Sequence, residues 1–189
     1  MIHSPKLSVI LDACVLYPAP IRDFLLSLAA EGLFKPHWSV MIQDEWVRNL
    51  LKNRKDLTSQ QLQKTIRAMN SAFPDANIGG YEDLIIGLSL PDKNDRHVLA
   101  CAIKGGADLI TTFNLKDFPS SELQKYDIEA QSPDVLVSNL LDLNPTAVCT
   151  AFSKMVARLK NPPKTKIEVA NALEKCGLSM SADKLRSNC

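Results

Sequence analysis

Acidic and amide side chains follow two predicted strands of this chain and open the helix between them. They are Asp12 after the first strand, Asp92 and Asp95 at the helix, and Asn114 and Asp117 after the second strand. In an open α/β sheet, ligands bind outside the carboxyl ends of the strands. Carboxylates gathered there repel one another unless a cation lies among them. The spacing therefore predicts an all-oxygen site for Mg²⁺ or Mn²⁺.

Each of these acids could instead have a purely structural role. Aspartate commonly caps helices or makes turns, and the two acids at the helix start also suit the positive end of its dipole. Asp117 could equally cap the turn that follows it. Pro18 and Pro20 delay the helix after Asp12, so we expect no capping by Asp12.

Glu45 is a further acid that could join this site. It lies inside a predicted helix, where a glutamate is usually exposed or paired with a cation such as Arg48 or Lys52. Asp44 competes with it in the same helix. We expect Glu45 to take part only if the other acids form a site within its reach.

Strands alternate with helices along most of the chain, which indicates a parallel sheet with right-handed crossovers. Within the predicted helix 39–54, the apolar stripe of Met41, Ile42 and Trp46 is expected to face the core. The segment 81–90 is ambiguous between helix and strand. Strands are predicted at 7–11, 33–38, 109–112 and 128–130, and helices at 21–31, 39–54, 59–72, 95–104, 133–143, 146–159 and 166–176.

Composition excludes several classes of protein. The chain has 189 residues and a net charge of +1, so its overall charge does not indicate a nucleic-acid partner. Its five cysteines are odd in number and far apart, which argues against a disulfide framework or structural zinc and favours a cytoplasmic protein. Residues 1–6 carry no signal peptide, and no apolar run is long enough to cross a membrane.

Four segments of the chain resemble the PIN domain family, most closely its bacterial VapC-type branch. The resemblance includes the patterns D-x-x-D-R-H-V-L-A and T-x-N-x-x-D-F-P, and it covers about residues 6–135 in the family's order. It implies a Rossmann-like α/β domain at 1–135 and a helical C-terminal extension at 136–189. The matched segments are 9–16, 38–50, 90–100 and 111–119.

The resemblance also implies an activity and a set of site residues. The family's acids fall on Asp12, Glu45, Asp95 and Asp117, with Asp92 as an extra acid of the branch. The implied activity is a Mg²⁺- or Mn²⁺-dependent ribonuclease, often the toxin of a toxin–antitoxin pair. Asp12 and Asp95 would be the principal metal ligands, while Asp92 and Asn114 would support them.

Two positions depart from the family pattern. Many relatives have asparagine where Ala13 stands, so a polar contact that orients Asp12 is expected to be missing. Others have aspartate where Asn114 stands, which leaves Asp117 as the acid of its segment and leaves the number of metals open.

Several alternatives remain open from the residues alone. An aspartyl-phosphate phosphatase would have a second aspartate where Cys14 stands. A non-catalytic nucleic-acid-binding module and a housekeeping RNA-processing nuclease would both fit the same fold. The expected partners are an RNA substrate and a cognate antitoxin protein, with no membrane, and the oligomeric state, a homodimer included, is left open.

Overall fold

The structure, a computed structural model, describes residues 6–189. The described chain forms two compact units. We name them the sheet unit, Leu7–Tyr17 with Lys35–Gln131, and the helical unit, which contains Pro18–Phe34 and Ser132–Cys189. The prediction that the chain opens without a signal peptide falls mostly on residues outside the described range. The predicted domain boundary after residue 135 stays a prediction, because the helical unit takes residues from both sides of it.

A four-stranded parallel sheet forms the centre of the sheet unit, which confirms the predicted fold class. The strand order is β2-β1-β3-β4, so β1 and β3 are the central neighbours. Val9 pairs with Leu109 and Leu11 with Thr111, and these positions are buried, as expected for the core of a parallel sheet. The strands are β1 Ser8–Leu11, β2 Lys35–His37, β3 Leu109–Thr111 and β4 Glu129–Gln131.

Helices lie between and after these strands along the chain. Three 3₁₀ turns, Lys93–Asp95, Leu115–Asp117 and Gln124–Tyr126, lie between the regular elements. The α-helices are α1 Ala13–Leu16, α2 Ala19–Ala30, α3 Val40–Asn53, α4 Ser59–Ala72, α5 Glu82–Ile85, α6 Arg96–Gly105, α7 Ser120–Leu123, α8 Pro133–Leu143, α9 Pro145–Arg158, α10 Lys166–Lys175 and α11 Ser179–Asn188.

Capping side chains fix where the site-bearing helices begin and end. The Ser39 hydroxyl accepts a hydrogen bond from the Ile42 amide at 3.3 Å, which starts α3 at the predicted place. Gly106 ends α6 in the left-handed conformation, with φ of 58°. The predicted core stripe of α3 is wrong at one position: Ile42 and Trp46 are buried, but Met41 is 43% exposed. Ile42 and Trp46 are one turn apart on one face, and Met41 is turned away from it.

The helical unit is held by packing and by polar contacts between its helices. The Phe24 ring of α2 meets the Phe152 ring of α9 edge-on, with centroids 5.7 Å apart. Asp134 of α8 accepts hydrogen bonds from the backbone amides of Met180 and Ser181, at 3.0 and 2.8 Å. These contacts cap α11, a helix that the sequence patterns did not predict.

A disulfide joins Cys149 to Cys189, with their Cα atoms 5.1 Å apart. The cysteine spacing, which argued against a disulfide framework, did not indicate this one pair, because the fold brings the C-terminal residue back onto α9. Cys14, Cys101 and Cys176 are free. Within residues 6–189, no helix has both the length and the apolar content needed to span a membrane.

Candidate active site

Asp12 lies at the carboxyl end of β1 and is only 4% exposed. One of its carboxylate oxygens accepts from the Ala13 amide at 2.6 Å. The other accepts from the Thr112 hydroxyl at 2.7 Å and from the Cys14 thiol at 3.1 Å. The prediction that Asp12 caps no helix was wrong, because the one-turn helix α1 begins at Ala13, before the prolines that delay α2.

These contacts hold a carboxylate in an unfavourable environment. Burial raises the pKa of Asp12 above its ordinary value, while the hydrogen bonds from Thr112, Cys14 and Ala13 act in the opposite direction. Burial also raises the pKa of the Cys14 thiol to about 12, so that Cys14 is a protonated donor at neutral pH. The polar contact expected to be missing at Ala13 is thus supplied by neighbouring side chains.

Glu45 contacts a histidine instead of the cations expected from its own helix. The Nε2 atom of His97, on α6, lies 3.3 Å from a carboxylate oxygen of Glu45 on α3. His97 is 7% exposed, and its Nδ1 atom has no partner among the described residues. His97 therefore links α6 to the acid on α3.

Asp92 and Asp95 play different roles at the start of α6. Asp92 caps the 3₁₀ turn by accepting from the Asn94 amide at 2.8 Å, whereas Asp95 makes no side-chain cap contact. The pKa of Asp95 is raised to about 7, first by burial and then by the negative charges of Asp12, Asp92, Asp117 and Glu45. The predicted acids therefore act on one another electrostatically.

Most of the predicted site residues line one open cavity of about 610 Å³ in the sheet unit. Asp12 and Asp117 are not among its lining residues, although their charges reach Asp95. The cavity is lined by Met41, Asp44, Glu45, Arg48, Asn49, Asp92, Asn94, Asp95, His97 and Asn114.

The donor set suits a hard divalent cation, although the side chains do not form a ready-made cluster. Carboxylates are the preferred ligands of Mg²⁺ and Mn²⁺, and the raised pKa of Asp95 reflects negative charge that a cation would offset. Yet no three His, Cys, Asp or Glu side chains within residues 6–189 are placed so that they could hold a metal together. Carboxylates that repel one another turn apart when no cation lies between them.

Sequence patterns did not single out Thr112, which contacts two of the predicted site residues. Its hydroxyl donates to Asp12 and accepts from the Asn114 amide at 3.0 Å, which connects the ends of β1 and β3. The one available signal was its position in the segment T-x-N-x-x-D-F-P, directly after the second central strand.

Comparisons with known proteins show the family to which the chain belongs. A family model described as PIN domain matches residues 8–116, and one described as VapC50 C-terminal domain matches residues 133–187. A Mycobacterium tuberculosis protein named "Putative ribonuclease VapC50" is 40% identical over 94 residues, 50% of this chain and 55% of its own length. The chain thus spans about half the length of this curated relative, and no solved structure matches it. Because the PIN model covers more than half of the chain, the chain belongs to the PIN domain family.

Proposed function

We propose that the protein is a divalent-metal-dependent endoribonuclease that hydrolyses RNA phosphodiester bonds. The observation that carries this proposal is the convergence of carboxylates on Asp95, whose pKa is raised to about 7. Such strong perturbation in a cleft is typical of functional sites. The relative named as a ribonuclease supports RNA as the substrate.

The residues that would hold the metal are Asp12, Glu45, Asp95 and Asp117. When bound, Mg²⁺ or Mn²⁺ would lower the pKa of a water molecule and offset charge on the scissile phosphate. The chain would supply orientation. Thr112 and Cys14 fix the carboxylate of Asp12, and His97 fixes that of Glu45. Asp92 and Asn114 would position groups at the edge of the cavity.

We also propose a biological setting. The family resemblance and the match to the VapC50 C-terminal domain support a toxin that is neutralised by a cognate antitoxin protein in the cytoplasm. Uncontrolled expression should then arrest growth, and Asp12→Asn should relieve the arrest. RNA sequencing after brief induction would map the cleaved sites. Growth that tolerates a fully active enzyme would instead favour a housekeeping nuclease.

Substitution of the two principal acids tests the proposed chemistry. Asp12→Asn and Asp95→Asn should each abolish RNA cleavage, because each removes a carboxylate charge at nearly constant volume. Asp83→Asn is the matched control, since Asp83 is exposed and does not line the cavity. Cleavage of RNA by the purified proteins is measured in Mn²⁺ and in excess EDTA, with circular dichroism to show that each variant is folded. Wild-type turnover in either variant, or full cleavage in EDTA, would refute the proposal.

A non-catalytic RNA-binding module is the second candidate. It is favoured by the finding that no three candidate side chains among residues 6–189 stand ready to hold a metal. This candidate predicts that RNA binds equally well with and without Mn²⁺ and is never cut. Cleavage in Mn²⁺ that is lost in Asp95→Asn excludes it.

A further inference from the structure

Arg48 is unusual among the charged side chains of the acidic cavity. Four of the described lining residues are carboxylates, Asp44, Glu45, Asp92 and Asp95, and Arg48 is the only permanent cation among them. RNA is a polyanion, so a strand that enters this cavity meets like charges. A cation in the wall would reduce that repulsion.

The guanidinium of Arg48 is unpaired within the described part of the chain. Arg48 lies one turn after Asp44 and Glu45 on α3, a spacing that favours ion pairs. Nevertheless it makes no hydrogen bond or ion pair with any residue in the described range, whereas Glu45 contacts His97. Arg48 is exposed, so its donors remain available to a ligand.

Arg67 provides a comparison, since it is an exposed arginine in the same unit. Arg67 lies on α4, is exposed, and likewise has no protein partner among residues 6–189. Unlike Arg48, it does not line the cavity. Substituting each arginine in turn therefore distinguishes the effect of a cation in the cavity wall from the effect of a positive charge elsewhere on the surface.

We propose that Arg48 binds a phosphate group of the RNA substrate and thereby holds the strand beside the carboxylates. This inference rests on the proposed ribonuclease function. The planar guanidinium fork binds phosphate oxygens through two parallel hydrogen bonds, which fixes orientation as well as position. Contacts of this kind position a nucleic acid without reading its sequence.

Cleavage kinetics test the proposal with an RNA that carries the mapped cleavage site. Arg48→Ala should raise KM about tenfold and change kcat little, because a charge-assisted hydrogen bond to the substrate is lost while the carboxylates remain. The slope of log kcat/KM against log salt should fall by about 0.7, the value for one phosphate contact on a single strand. Arg48→Lys should keep the slope but recover only part of the affinity. Arg67→Ala should match the wild type in KM and in salt slope.

A series of RNAs with one uncharged methylphosphonate each identifies the phosphate. At one position the replacement should raise KM for the wild type and for Arg67→Ala, but not for Arg48→Ala, because the two changes remove the same contact. If Arg48→Ala keeps the wild-type KM, salt slope and methylphosphonate profile, the role of Arg48 is overturned while the ribonuclease function stands. If the wild type cleaves no RNA in Mn²⁺, both proposals are overturned.

Discussion

At the residue scale, two adjacent buried threonines at the end of β3 differ in whether their hydroxyls make hydrogen bonds. The hydroxyl of Thr112 donates to Asp12 at 2.7 Å, whereas the buried hydroxyl of Thr111 has no partner among the described residues. Thr112→Val should therefore reduce RNA cleavage about tenfold to a hundredfold, the usual effect of removing a group that orients a metal ligand. Cleavage rates at saturating Mn²⁺ provide the measurement.

Thr111→Val is the control for this prediction. Replacing an unpartnered buried hydroxyl by a methyl group of similar shape should leave activity unchanged and the protein equally stable or more stable. Equal losses of activity in the two variants would show that valine disturbs β3 in general and that Thr112 has no specific role.

The raised pKa of Asp95 predicts how stability depends on pH. The pKa is about 7 in the folded protein, against an ordinary value of 3.8 for an aspartate in water, so the folded chain holds an extra proton between these values. The stabilising contribution of protonated Asp95 is present below the lower pKa and is lost as the pH rises through the higher one. In EDTA, the melting temperature of the wild type should fall relative to that of Asp95→Asn across this range. If the melting temperatures of the two proteins change in parallel with pH, the raised pKa of Asp95 is contradicted.

Sequence patterns identified the acids but not the contacts that hold them. The carboxylates could be recognised because they follow apolar runs and open a helix. Thr112 could not, because it lies 100 positions from Asp12 along the chain and only the pairing of β1 with β3 brings the two together.

At the element scale, the start of α11 depends on a side chain from another helix. Asp134 of α8 accepts from the amides of Met180 and Ser181 and from the Ser181 hydroxyl. Asp134→Ala would leave the buried Ser181 amide without its acceptor, which should lower the free energy of unfolding by about 1–3 kcal/mol. Urea denaturation monitored by circular dichroism measures this loss.

Asp142→Ala offers the comparison. Asp142 pairs with Lys184, and its side chain is 65% exposed. An exposed pair contributes only about 0–1 kcal/mol, so this variant should be close to the wild type. If Asp134→Ala is no less stable than Asp142→Ala, Asp134 does not secure α11.

Helices could be predicted where their capping residues are local in sequence, and not where the cap comes from a distant residue. The bounds of α4 were predicted correctly because its signals are local, with Thr58 and Gln61 forming a capping box at its start. The sequence of α11, Ser179–Asn188, is largely polar, and its cap comes from Asp134, far away in the chain. Nothing local to α11 therefore indicates a helix.

At the scale of the whole molecule, the order of segments along the chain does not determine which compact unit each segment joins. Residues 18–34 precede most of the sheet unit but belong to the helical unit. Cys149 and Cys189 are 40 positions apart and form a disulfide, a pairing that cysteine spacing alone does not determine. By contrast, the parallel sheet was predicted correctly, because its two central strands, β1 and β3, are short buried apolar runs.

The central claim is that the carboxylates around Asp95 form one cation site, and calorimetric titration of Mn²⁺ into the metal-free protein tests it most directly. The wild type should bind Mn²⁺ and gain about 2.7 kcal/mol of stability at a hundredfold excess over Kd. Asp95→Asn should lose most of the binding and of the rise in melting temperature, while Asp83→Asn should behave as the wild type. If millimolar Mn²⁺ gives no heat of binding and leaves the wild-type melting curve unmoved, the acids do not form one metal site.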